Sequence, residues 1–248
     1  MIEVKNVSKT FDNGAEKVEA LKPTSFTMNA GDSIVIIGGN GAGKSTLLNL
    51  ISGNIKPTTG TIKIDGIDVT NMSRHKRAAH VACVFQDPNA GVCPDMTIAE
   101  NLSIAYYRGK KRGLGIATKK HHLEIFKEKL KTFNPELEDR LNQTISLLSG
   151  GQRQVVTLLM ATLQRPKLLL LDEHISALDP KIAKQVMEIT RSLINELKIT
   201  TIMITHNLKD ACTYADRLIM FSSGKIIMDV SGEEKQALTP AMLVTKFE

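Results

Sequence analysis

Apolar and polar positions change rhythm several times along this chain, and each rhythm predicts an element. IEVKNV near the start and GTIKIDG at 60–66 alternate apolar with polar residues. That is the period of strands with one exposed face, and the two predict an antiparallel piece. SIVIIGG at 33–39, HVACVFQ at 80–86, KLLLLD at 167–172 and TTIMIT at 200–205 are instead almost continuously apolar. Strands read this way when helices cover both faces of a mainly parallel sheet. SIVIIGG is followed by the helix-like LLNLISG, which gives the order strand, loop, helix.

Between 88 and 165 the spacing turns helical. Thr97 and Glu100 stand at capping-box spacing ahead of NLSIAYY, and Leu123, Phe126, Leu130 and Phe133 recur at helical intervals. Asp179-Pro180 supplies a cap and a first-turn proline, after which Ile182, Val186, Ile189, Leu193 and Leu197 mark one apolar face. RLIMFSSGKIIMDV predicts a hairpin turning at Ser223-Gly224. The expected fold class is α/β, one domain over 1–248. Residues 1–87 and 166–248 form a core with an antiparallel β part, and 88–165 form an inserted helical subdomain.

Composition narrows the field only modestly. A chain of 248 residues suffices for one core with a smaller lobe. The net charge of +6 would suit nucleic acid, an anionic membrane face or a nucleotide. With no Trp, three Tyr and seven Phe there is little on which bases could stack, so no nucleic-acid partner is expected. Cys83, Cys93 and Cys212 are too few for a disulfide framework and read as packing residues in a reducing compartment. No apolar run approaches a membrane span and the start lacks the pattern of a signal peptide, so a cytoplasmic location is expected.

GGNGAGKS at 38–45 matches G-x-x-x-x-G-K-[ST] between a predicted strand and helix, the context the motif requires. Gly38, Gly39, Asn40, Gly41, Ala42, Gly43 and Thr46 would bring backbone N–H groups to phosphate oxygens. Lys44 adds charge for the β and γ phosphates, and Ser45 offers a hydroxyl to Mg²⁺. LLLLDE at 168–173 delivers Asp172 and Glu173 at a strand exit, where ligands of such sheets bind. Asp172 suits a Mg²⁺ role and Glu173 suits activating a water. Gln86 and His206 end two further strands and are expected at the same sheet edge.

A second Gly-rich loop opens a helix about a hundred residues further on, in LLSGGQRQ at 147–154. Ser149 and Gln152 stand at capping-box spacing, which places Ser149, Gly150 and Gly151 at a positive helix end suited to an anion. The glycine pair reads as space left for close approach to a phosphate.

With LSGGQ at 148–152 just upstream of LLLLDE and SALD at 176–179 just downstream, nearly the whole chain resembles the ATP-binding-cassette ATPases. The resemblance implies a phosphate-loop NTPase core, ATP and Mg²⁺ as cofactors, and ATP hydrolysis. It also implies a homodimer in which Ser149, Gly150, Gly151, Gln152 and Asp179 of one copy complete the site of the other. By the same resemblance Phe11 stacks on adenine, Gln86 joins Mg²⁺ and senses the γ-phosphate, and His206 contacts that phosphate. It further implies a separate membrane permease, attachment to the cytoplasmic face of the membrane, and import of a small solute delivered by a substrate-binding protein. Relatives with DEHISALD and a similar insertion point to an amino acid, aromatic ones among them. The alternative class is a non-transport cassette, such as an iron–sulfur assembly or cell-division ATPase. Two features stand outside the pattern. His174 follows the carboxylates where proline or alanine is commoner, and is expected at most to tune its neighbour. RGKKRGLG at 108–115 and KKHH at 119–122 form a basic segment, read either as a solvated loop or as a patch facing the membrane or permease.

Overall fold

The computed structural model describes residues 1–14, 16–110 and 119–246. Most of the basic segment at 108–122 therefore lies outside the described residues, with Arg108 to Lys110 and Lys119 to His122 inside them. In chain order the strands are β1 (Ile2–Asp12), β2 (Lys17–Met28), β3 (Ser33–Gly38), β4 (Thr59–Ile64), β5 (Ile67–Asp68), β6 (Val81–Val84), β7 (Leu168–Asp172), β8 (Thr201–Ile204), β9 (Arg217–Ser222) and β10 (Lys225–Ser231). The helices are α1 (Lys44–Ser52), α2 (Arg74–Arg77), α3 (Ile98–Tyr106), α4 (Lys120–Phe133), α5 (Gly150–Thr162), α6 (Pro180–Leu197), α7 (Leu208–Thr213), α8 (Gly232–Gln236) and α9 (Pro240–Val244). The chain forms two compact units. One comprises Met1–Val81, Lys167–Glu173 and Lys198–Glu248, the other Ala82–Pro166 and His174–Leu197.

The first unit holds two sheets. One runs β2-β1-β4-β5 with every neighbour antiparallel. Ile2 and Val4 of β1 stand opposite Met28 and Phe26 on one side and Ile64 and Ile62 on the other, all buried, so the inward face is a cross-strand apolar ladder. Strand β2 lacked a clear sequence signature because Pro23 interrupts it. The proline is exposed, and β2 is the sheet edge, where a missing N–H is tolerated.

The other sheet contains the order β10-β9-β3-β8-β7. β3 is parallel to β8 and β9, β7 is parallel to β8, and only the β9–β10 hairpin is antiparallel. Ile34 to Ile37 and Leu168 to Leu171 are all buried, as their unbroken apolar runs require. Because β3, β8 and β7 are parallel neighbours, the residues leaving them emerge along one edge. The hairpin turns at Ser223 (φ 48°) and Gly224 (φ 76°), the positive-φ pair of a two-residue turn.

Helix α1 ends against Arg77, a side chain that is only 1% exposed. Its guanidinium donates to Leu50 O (2.6 Å) and Ile51 O (2.9 Å) at the helix end, and also to Val69 O, Thr70 O and Met72 O. A cation among the last carbonyls satisfies them and opposes the negative end of the helix dipole.

The second unit is helical. Ile98, Leu102, Phe126, Leu130, Leu137, Ile145, Val156 and Leu159 form its core. The capping box of α3 is present, with Thr97 Oγ1 accepting from Glu100 N and Thr97 N donating to Glu100 Oε2. Asp179 Oδ1 accepts from Lys181 N at the start of α6, and Val186 and Leu193 are buried beneath it. This unit takes in α6, which the sequence boundaries had placed with the core, because α6 packs along α5. Cys93 corrects the reading of all three cysteines as packing residues: it is exposed, and its backbone rather than its thiol is engaged, by Asn101.

Candidate nucleotide site

The loop between β3 and α1 is shaped by close approaches that only glycine permits. Gly43 has φ 99°, and a Cβ there would stand 2.7 Å from Ala20 O. At Gly38 an added Cβ would overlap Phe221 O. The turn of the distant hairpin braces the same loop: Gly224 N donates to Ala42 O (3.1 Å), and Lys22 N donates to Gly224 O (2.9 Å). Gly43 caps α1 without any side-chain bond. The first intrahelical bond runs from Leu47 N to Gly43 O, so the N–H groups of Lys44, Ser45 and Thr46 lie ahead of it at the positive helix end.

Lys44 is 8% exposed, and its ammonium donates to Gly38 O (2.7 Å) and Gly39 O (2.9 Å). Burial lowers its pKa, while the charges of Glu173 and Asp172 raise it. Asp172, the last residue of β7, is shifted upward by burial and by Glu173, with Lys44 acting against both. The lysine and the two carboxylates therefore share one electrostatic field.

Glu173 adopts φ 48°, a left-handed conformation that costs a residue with a Cβ roughly 1–2 kcal/mol. Its N–H donates to Ile204 O (3.1 Å), and its carboxylate lies 3.1 Å from His206 Nδ1. A carboxylate accepts, so His206 Nδ1–H is the donor. His206 is itself set by its neighbours. Thr205 Oγ1 accepts from Asn207 N, and Asn207 Oδ1 caps α7 by accepting from Lys209 N and Asp210 N. Phe11, also in this unit, is 44% exposed, with Lys9 Nζ 5.1 Å from the ring centroid.

The remaining predicted residues belong to the second unit. Gln86 is exposed just beyond β6, and Asp179 is exposed at the start of α6. Ser149 and Gly150 are exposed at the N-terminus of α5, where the predicted capping box exists: Ser149 Oγ accepts from Gln152 N (3.3 Å), and Ser149 N donates to Gln152 Oε1 (3.2 Å). Gly151 has a packing reason to be glycine beside the phosphate role expected of the pair. It is buried, and a Cβ there would overlap Ile182 Cγ2 of α6, so helix packing already demands glycine. His174 does not turn to the carboxylate before it. Its ring is 1% exposed, and Nε2 lies 3.1 Å from Thr190 Oγ1, which donates onward to Val186 O. Burial pulls its pKa down to about 4, so it is neutral, with the proton on Nε2.

Sequence reasoning missed three features here. The φ of Glu173 leaves no signal in composition, and neither does the glycine-specific contact of Gly151. The cap at Asn207 was legible in principle, as an Asn before a short helix with Asp210 at its third position.

A fit to nucleotide and cation follows from the donor set. The loop offers backbone N–H groups and a buried ammonium, which are phosphate ligands, and Ser45 Oγ and Asp172 are hard oxygen donors suited to Mg²⁺. Among the described residues no group of three or more His, Cys, Asp or Glu could hold a metal by itself. Mg²⁺ is accordingly expected to take much of its coordination from phosphate and water.

This geometry defines a phosphate-loop ATPase whose sheet edge carries an acidic pair and a histidine. The sequence model described as ABC transporter matches residues 21–176, and the chain belongs to that family. It is 44% identical over 249 residues to the tyrosine transport ATP-binding protein of Clostridioides difficile, covering 100% of this chain and 99% of that one. It is 35% identical over 247 residues to a spermidine/putrescine import ATP-binding protein of Haemophilus ducreyi, where all of this chain spans 62% of the relative. Among solved structures, a dimeric ATP-binding cassette in a post-hydrolysis state with ADP and Pi superimposes with a TM-score of 0.77 at 28% identity, over 93% of this chain and 98% of that one. The ADP conformation of another cassette gives 0.80 at 27% identity, over 100% and 99%. ATP with Mg²⁺ is the cofactor pair of this family, and the chain is an ATPase with the mixed α/β architecture its sequence predicts.

Proposed function

We propose that this chain is the ATP-hydrolysing subunit of an importer for an aromatic amino acid, with tyrosine the first candidate. The observation that carries this reading is the 44% identity spread over the full length of both this chain and the tyrosine transport relative. The polyamine relatives are less similar and extend well beyond the matched region.

In this reading Gly38 to Thr46 hold the triphosphate, with Lys44 exchanging its loop carbonyls for phosphate oxygens. Ser45, Asp172 and Gln86 would hold Mg²⁺, and the chemistry the ion would supply there is neutralisation of phosphate charge. Glu173, fixed by its backbone bond and by His206, takes a proton from the attacking water as the new P–O bond forms and ADP leaves. His206 steadies that carboxylate and reaches the γ-phosphate, and Phe11 offers its exposed ring to the base. Ser149, Gly150, Gly151, Gln152 and Asp179 of a second copy close the site, so hydrolysis requires a dimer. No described helix is long and apolar enough to cross a membrane. The transport path belongs to a separate permease with its substrate-binding protein, and this chain sits at the permease's cytoplasmic face.

The test is Glu173→Gln. Turnover should fall by about 10² to 10⁴, the span expected for loss of a positioned general base, with ATP binding retained and an ATP-bound dimer accumulating. Capture of the variant with ATP from gently solubilised membranes should bring down a multi-span permease. Reconstituting that permease should then give ATP-dependent uptake of labelled tyrosine. Undiminished turnover rejects the role of Glu173, and capture of only soluble proteins rejects transport.

A further inference from the structure

Helix α5 begins with a cation where a cation is disfavoured. Arg153 lies in its first turn, which holds no acidic residue, against the positive end of the helix. Among the described residues it has no ion-pair partner, so its charge is not neutralised locally. Its guanidinium is nevertheless firmly held. Nη1 donates to Asn89 Oδ1 (2.5 Å) and Nη2 donates to Leu148 O (3.1 Å), while Nε is buried with no partner.

Both anchor points adjoin residues already assigned to the nucleotide. Leu148 immediately precedes Ser149, and Asn89 lies in the turn that follows Gln86. Asn89 is fixed in that turn, since its N–H and its Nδ2 both donate to Asp87 Oδ1 at 2.9 Å. One helical turn beyond Arg153, the same loop meets α5 again: a Cβ on Gly91 would stand 3.0 Å from Thr157 Cγ2. The loop therefore lies along α5 at two successive turns.

We infer that Arg153 is a positioning residue for ATP hydrolysis, tying the loop that carries Gln86 to the turn that presents Ser149 and Gly150. This rests on the nucleotide roles proposed above. The planar fork spans two acceptors on separate segments, so the loop and the helix start shift together or not at all. A lysine ammonium is a single point charge and cannot reproduce that span. Gln86 and Ser149 would serve different nucleotides in the dimer, so the tie lets one site register the state of the other.

The experiment measures kcat and KM for ATP in the purified chain carrying Arg153→Met, Arg153→Lys, Asn89→Ala or Arg153→Met with Asn89→Ala, each also in a Gln86→Ala background. Melting temperatures confirm folding, and Asn89, on an exposed turn, supplies the variant least able to disturb it. The expected result is a fall in kcat of roughly 5- to 30-fold in each single variant with KM changed less than about 3-fold, and no further fall in the pair, as for residues that act as a unit. Arg153→Lys should resemble Arg153→Met, and none of the variants should slow the Gln86→Ala protein further. Additive losses, equal losses in the Gln86→Ala background, or an unchanged kcat would overturn the inference while leaving the ATPase reading intact. A wild-type chain without ATPase activity, or full activity in Gln86→Ala alone, would instead remove the nucleotide roles on which it rests.

Discussion

Replacing His174 by leucine should make the protein less sensitive to acid, and the structure sets the size of the effect. The imidazole is held neutral, its pKa lowered by burial from 6.5 to about 4. Below pH 6.5 the unfolded chain takes up a proton here that the folded chain refuses until about pH 4, so stability falls with pH across that window and this contribution levels off beneath it. At roughly 1.4 kcal/mol per pH unit the full window amounts to about 3 kcal/mol. Between pH 7 and pH 5 the same titration gives about 2 kcal/mol. Leucine removes the titrating group and the bond to Thr190, but Thr190 Oγ1 still donates to Val186 O and is not orphaned. The loss at pH 7 should therefore be only about 1 kcal/mol. Urea denaturation of wild type and His174→Leu at pH 7 and pH 5 reads this directly. The wild type should lose about 2 kcal/mol more than the variant on acidification. Equal losses would mean that the ring already accepts a proton in the folded state, and the argument from burial would fail.

Two further substitutions separate packing from binding. Gly151→Ala should lower the melting temperature, with a cost of about 1–3 kcal/mol for forcing a methyl group against Ile182. If stability is unchanged and only the ATP-dependent dimer is lost, Gly151 serves the phosphate instead. Lys44→Ala should weaken ATP binding by about 10- to 100-fold, the loss of one charge-assisted hydrogen bond, as measured by calorimetry. Full affinity in that variant would remove the phosphate-loop assignment.

Much of this molecule could be read from its residues because local rules and tertiary structure agree. Both capping boxes, the Asp179-Pro180 start of α6 and the Ser223-Gly224 hairpin formed where their residues direct. Three of the unbroken apolar runs became the buried parallel strands β3, β7 and β8. What stayed hidden depends on contacts between segments distant in sequence. Arg77 looks like an ordinary basic residue of a short helix until five carbonyls from two segments converge on it. The packing role of Gly151 stayed hidden because nothing in the sequence indicates that Ile182 arrives beside it. Pro23 obscured β2, since only the sheet order shows that this strand lies at an edge.

The brace between the hairpin turn and the phosphate loop also governs when the loop can take shape. Ala42 is made well before Gly224, yet the N–H that holds its carbonyl belongs to Gly224. At synthesis rates of about 5–20 residues per second, the interval between the two is roughly 10–35 s. Throughout that time the glycine-rich segment exists without its clamp. The order of translation therefore sets the earliest moment at which this bond can brace the phosphate loop, since the residue that supplies it follows the loop by most of the sheet and helices described above.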